Sequence, residues 1–201
     1  MKRFLMILMA LSGALMLNAQ SGVELLGSLS EKMAAMGSYH IDFEVEMAGA
    51  SMPSKGYCEV SGEMYVIAIE ELRQGFDGTT QWVFNGVNRE VTLDSPRTDS
   101  RSLFDNPTKA FDFTEELFEV ESVTHEAAVI HLRLLPKDGV LDGIERVLLT
   151  IDEATMLPSS LGYDMAGLGL YINIVDIKPI TPTKADFEVR VPYGFEVIDF
   201  R

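Results

Sequence analysis

From Tyr39 to Met47 the chain alternates without interruption. Tyr39, Ile41, Phe43, Val45 and Met47 are apolar or aromatic, and His40, Asp42, Glu44 and Glu46 between them are polar. A period of two is the pattern of a strand with one buried and one wet face. A one-residue slip in its pairing would bury four polar side chains, so its register is strongly specified. The same period recurs downstream in Phe118 and Val120, in Ile130, Leu132 and Leu134, and in Val147, Leu149 and Ile151. It returns in Leu161, Tyr163 and Met165 and in Leu170, Ile172 and Ile174, with Asp138-Gly139, Asp142-Gly143 and Asp152-Glu153 as turn punctuation. Pro179 and Pro182 break the pattern before Phe187 to Val189, and a closing strand spans Phe195 to Phe200.

Gly75 to Leu93 carries the densest local signal. Asp77-Gly78 and Asn85-Gly86 are turn pairs, and Gln81 to Phe84 and Glu90 to Leu93 alternate between them. This unit puts Trp82, Phe84, Val91 and Leu93 on one apolar face. Just before it, Gly56 to Glu70 reads as two short strands around a Ser61-Gly62 turn, after a loop from Ala48 to Lys55. Met64 to Ile69 is apolar on both faces, which predicts a strand covered on both sides. Asp94 to Asp105 is polar and irregular, with Pro96 ending the sheet pattern. Asn106-Pro107 has the form of a cap followed by proline at the first helical position, predicting a short helical turn through Phe111 and Phe113.

One long helix is predicted, from Ser21 to Met36. Ser21 and Glu24 have the spacing of a capping box, and Leu26, Leu29, Met33 and Met36 form one apolar stripe. Gly37 ends it. One helix and about ten short antiparallel strands predict a mainly β, α+β fold: a curved antiparallel sheet or unclosed barrel, covered by the N-terminal helix and short helices. Residues 1–19 read as a secretory signal, with Lys2-Arg3, an apolar run from Phe4 to Leu17, and cleavage after Ala19. Gln20 rather than a cysteine directly follows that cut, so the lipid-attached form of a bacterial lipoprotein is not expected. The expected product is a single domain, residues 20–201, soluble in the periplasm.

The chain carries a formal charge of −15, and loss of the two basic signal residues would make it −17. Such a chain does not bind nucleic acid or an anionic membrane through its overall field. The single cysteine, Cys58, has no internal disulfide partner and reads as a buried, inert thiol. His40, His125 and His131 lack metal-ligand spacing, and there is no nucleophile elbow or phosphate-cradling loop. His40 and Asp42 share the wet side of a strand, where a solvated pair is the expected reading. No catalytic residue, metal or cofactor is assigned, and the expectation is a binding protein that performs no chemistry. The chain has eleven methionines; flexible, polarizable Met33, Met36, Met47 and Met64 suit a surface accepting variable apolar ligands.

Gly62-Glu63-Met64-Tyr65, Phe76-Asp77-Gly78-Thr79-Thr80-Gln81-Trp82, Glu90-Val91, Pro96 and Asn106-Pro107 resemble the LolA-like outer-membrane lipoprotein carriers, particularly their Bacteroidetes branch. The ending from Pro192 to Arg201 resembles that family's last strand, and the likeness runs from about Leu25 to Arg201. It implies an unclosed antiparallel barrel with helices over its mouth, working as a monomer. Its ligands would be the acyl chains of lipoproteins, received from an inner-membrane ABC exporter and delivered to an outer-membrane acceptor. Relatives of the same fold bind other lipids or act as envelope-stress sensors and assembly partners, which is the alternative reading. Proteobacterial carriers hold the lid with an arginine of an Arg-Pro pair, whereas Ser61-Gly62-Glu63 stands in the corresponding region here. Strand parity assigns Tyr39, Ile41, Phe43, Val45, Met47, Tyr65, Trp82, Phe84, Phe111 and Phe113, with Leu29 and Met33 of the helix, to the lining of a hollow apolar cavity.

Overall fold

The alternating segments all become strands of one sheet. The structure is a computed structural model that describes residues 22–47, 49, 51–96, 107–109, 111, 113–114, 116–137, 143–165 and 168–201. The expected signal segment and Ser21 cap, Asn106 and most of the irregular stretch after Asp94 lie outside the described residues. Helix α1 occupies residues 22–36, and Gly37 at φ 67° ends it, donating its N–H to the Ala34 carbonyl at 3.1 Å. The left-handed backbone is one that glycine takes without a Cβ penalty.

The strands follow as β1 (Ser38–Met47), β2 (Ser54–Ser61), β3 (Met64–Ile69), β4 (Leu72–Phe76), β5 (Gln81–Asn85) and β6 (Glu90–Asp94). A 3-10 turn at Pro107–Lys109 precedes β7 (Phe118–Glu126), β8 (Val129–Pro136), β9 (Arg146–Asp152), β10 (Pro158–Met165) and β11 (Leu168–Pro179). A second 3-10 turn at Lys184–Asp186 leads to β12 (Glu196–Asp199). All twelve strands form one sheet in the order β12-β6-β5-β4-β3-β2-β1-β11-β10-β9-β8-β7. β7 and β12 are its two edges and do not pair with each other, so the sheet is open. Every pairing is antiparallel except β12 with β6, which is parallel. That one parallel pair corrects the all-antiparallel expectation. A strand's own pattern does not name its neighbour, and β12 returns to β6 through the long intervening chain rather than through a hairpin.

The pairing register defines two faces. Tyr39, Ile41 and Phe43 stand opposite Val60, Cys58 and Gly56, which stand opposite Tyr65, Ile67 and Ile69. On the other side of β1, Phe43 and Val45 face Ile174 and Ile172, and Ile172 continues to Leu161, Leu149 and Leu132. This inner face, with Leu26, Leu29 and Met33 of α1, is one hydrophobic core reaching from Tyr65 to Phe118. The predicted stripe is therefore the helix's packing face. Gly22 lies so close to β7 that a Cβ there would come within 2.6 Å of Val120, so the start of α1 is seated directly on the sheet.

β3 is buried across four consecutive residues, Tyr65 to Ala68. The doubly apolar pattern required two covers, and both exist. The inner face is covered by the main core, and on the outer face Phe187 of the C-terminal segment packs with Val66 and Trp82.

Candidate functional site

Phe43 lies at the centre of the inner face. Its cross-strand partner is Gly56, and the aromatic ring occupies the space a Cβ would need: such an atom would meet Phe43 at 2.5 Å. Around it Tyr39, Ile41, Cys58, Ile67, Leu161, Ile172 and Ile174 line a small space roofed by Pro107 and Phe111. No polar surface lines it. Its volume is about 30 Å³, enough for roughly one or two water-sized spheres. This space by itself is too small for an acyl chain. Pro107 and Phe111 cover it on the side away from the sheet.

That cover is α1 together with Pro107–Lys109, Phe111 and Phe113. Phe111 and Phe113 are both buried, and Phe113 meets Phe118 edge to face with centroids 5.3 Å apart. Ser30 Oγ donates to the Phe111 carbonyl at 2.9 Å, tying helix to roof. Leu26, Leu29 and Met33 of the helix and Phe111 and Phe113 of the roof add apolar packing. Buried apolar surfaces adhere without directional bonds.

The electrostatics of the inner face are those of an oily interior. Burial, and then the charge of Glu59, push the Cys58 thiol up to about 12, so it stays protonated and unreactive. Burial also drives the Tyr163 hydroxyl upward, and burial followed by Cys58 does the same for Tyr39. Gln74 Nε2 on this face is buried without a hydrogen-bond partner, and an unsatisfied amide donor costs about 1–3 kcal/mol.

The sequence-assigned lining divides in the structure. Leu29, Met33, Tyr39, Ile41, Phe43, Val45, Tyr65, Phe111 and Phe113 belong to the inner core. Met47 is 63% exposed at the end of β1, beyond the cover. Trp82 and Phe84 are on the opposite face. Val66 pairs with Gly75 and Gly75 with Trp82, while Ala68 pairs with Arg73 and Arg73 with Phe84, so both aromatics follow β3's outer side. Trp82, Phe84 and Leu93 do form a shared apolar face, packed in the second cluster with Phe187 rather than in the main core. Parity within β5 was legible; its phase relative to β1 needed the register of three intervening strands. The inner face also includes Leu161, Ile172, Ile174 and Cys58, whose alternation within strands was the signal that could have found them.

The outer face carries the polar side chains. His40 Nδ1 meets Glu59 at 2.9 Å and Nε2 meets Asp42 at 3.0 Å, with the ring stacked on Tyr57. Lys178 approaches Asp42 at 3.2 Å. Both imidazole nitrogens are engaged by carboxylates, whose hydrogen bonds outweigh partial burial and raise the His40 pKa above its ordinary value. Among the described residues, no group of three histidine, cysteine or acidic side chains is arranged to hold a metal.

No protein-family profile matches the sequence, and no curated protein matches it. Solved structures do. The chain is similar to an uncharacterized conserved protein from Thermus thermophilus, at 11% identity over 89% of this chain and 99% of that one, with a TM-score of 0.58. It is also similar to a DUF1329 family protein from Desulfovibrio piger, at 9% identity over 85% of this chain and 97% of that one, with a TM-score of 0.51. The chain shares their fold. Also matched is a putative outer membrane lipoprotein-sorting protein domain from Vibrio parahaemolyticus, at 13% identity, 85% and 97% coverage and a TM-score of 0.49.

Proposed function

We propose that the protein is an exported, monomeric carrier that shelters the acyl chains of lipoproteins against the inner face of its sheet and performs no chemistry. In this reading residues 20–201 are one carrier domain, cleaved after Ala19, moving cargo from an inner-membrane ABC exporter to an outer-membrane acceptor. The observation that supports it most directly is the wholly apolar inner space beneath a roof of Pro107 and Phe111. The sequence resemblance to lipoprotein carriers points the same way. Each acyl CH₂ left in water costs about 0.8 kcal/mol, so a multiply acylated cargo needs such shelter to leave one membrane for another. With about 30 Å³ free beneath Pro107 and Phe111, loading there requires α1 and these two residues to move aside, the chains then replacing the cover's own apolar side chains. Gln74 would donate to a carbonyl of the bound lipid.

The test is native mass spectrometry of the protein purified from the periplasm, beside transfer of a diacylated lipoprotein to it in vitro. Wild type is expected to carry acyl species. Phe43→Glu places a charge where chains would lie, and Ile174→Asn adds a polar group at a half-buried lining position with less risk to folding. Either should reduce loading about tenfold or more. A protein that emerges free of lipid and accepts none, or folded variants that load like wild type, would sink the carrier reading. A bound polypeptide in place of lipid would favour the sensor or assembly-partner alternative.

A further inference from the structure

The inner face changes character from strand to strand. On β3 it presents Tyr65, Ile67 and Ile69, and the cross-strand rows continue onto Phe76, Gln74 and Leu72 of β4. Beyond β4 the same rows turn polar, with Gln81, Val83 and Asn85 on β5 and then Asp94, Thr92 and Glu90 on β6. Gln74 stands at the boundary, paired with Ile67 on one side and Val83 on the other. Among the described residues, its Nε2 is the one buried side-chain nitrogen or oxygen without a hydrogen-bond partner. A methionine would fill a similar volume without that penalty, so the amide costs stability until a ligand supplies an acceptor.

The row through Gln74 runs on from Ile67 to Cys58, Ile41 and Ile177. Ile67, Cys58 and Ile41 are also the residues of this row that line the small inner space. From β4 to β11 the row covers four strand spacings, about 19 Å, close to the length of an extended palmitoyl chain. One hydrogen-bond donor at the end of an apolar track of that length matches an acyl chain whose first carbon is a carbonyl.

Resting on the carrier reading, we propose that the inner face selects ester-linked acylglycerol, as carried by the diacylglyceryl group of a lipoprotein. Gln74 Nε2 donates to an ester carbonyl, and one acyl chain lies along Ile67, Cys58, Ile41 and Ile177. The glycerol end lies over the polar rows of β5 and β6. A carbonyl oxygen accepts an amide N–H well, an ether oxygen does so poorly, and hydrocarbon offers no acceptor.

The test is displacement of a fluorescent fatty acid from the protein by a dipalmitoylglyceryl-cysteine peptide and by its dihexadecyl ether counterpart. The ester should bind about tenfold more tightly than the ether. Gln74→Met should bind the two alike, by weakening only the ester, and should unfold at a higher urea concentration than wild type. Dipalmitoylglycerol and its diether form a second pair. Ester preference in the peptide pair supports lipoprotein as the source, and a preference confined to the second pair overturns that source in favour of free glycerolipid. A nitroxide at the methyl end of the chain should broaden the NMR signals of the Ile177 methyls more than those of Val83; the reverse order overturns the orientation. Equal binding of ester and ether by wild type, or a preference that survives Gln74→Met, overturns the ester assignment and leaves the carrier reading standing. Binding of neither lipid overturns both.

Discussion

Gly75 shows what a single position can require. It lies beneath the Trp82 indole, and a Cβ there would overlap the ring and sit 2.7 Å from the Tyr65 carbonyl. Trp82 cannot retreat without breaking its bond to Phe187. Gly75→Ala should therefore destabilise the protein by about 1–3 kcal/mol, the range for overpacking, and shift tryptophan emission; urea unfolding followed by fluorescence measures both. His40 gives a pH-dependent counterpart. Partial burial lowers its pKa, but hydrogen bonds to Asp42 and Glu59 outweigh this, and the net shift is above 6.5. A group whose pKa is raised by folding contributes its full stabilisation below its unfolded value and loses it as pH climbs through the folded one. Asp42, held below its ordinary range first by His40, contributes above its unfolded value and loses this at acidic pH. The His40 imidazole should thus titrate above the unfolded value in an NMR pH series. Asp42→Asn should bring its midpoint down, and an unmoved midpoint would discount the pairing.

At the scale of elements, the C-terminal segment and β12 depart most from what local pattern predicted. Phe187 to Val189 contributes a cover to the sheet rather than a strand, through one ring with no exposed surface. Phe187→Ala should cost about 3–5 kcal/mol if the whole fold depends on it, and at minimum should free the segment. Limited trypsinolysis at Lys184 and Arg190 should become faster by an order of magnitude or more, and unchanged cleavage would mean that the segment is held elsewhere. Helix α1 was legible because its stripe has a 3.6-residue period and Gly37 closes it. The parallel partner of β12 was not, since hydrogen bonding to β6 leaves no trace in the composition of either strand.

For the molecule as a whole, the proposed carrier function sets an equilibrium between the closed inner face and a loaded one. Stability should be uneven: β8, β9 and β10 sit in the best-buried part of the sheet, with Leu134, Val147 and Ile151 fully enclosed. α1 joins them through one face. Hydrogen exchange should open α1 before β9, and palmitate should lower protection of α1 amides at least about tenfold while leaving β9 unchanged. Bound palmitate with no change in α1 would rule out displacement of the cover. Sequence alone determined the strands, the helix, the two-sided burial of β3 and the apolar character of β1's inner row, because each is written in a local period of side chains. Only tertiary structure decided that Trp82 and Phe84 face away from that row, that β12 runs parallel to β6, and that Pro107 and Phe111 come to lie over Phe43. Those outcomes depend on register summed across several strands and on which distant surfaces meet, and neither quantity is encoded in any one segment.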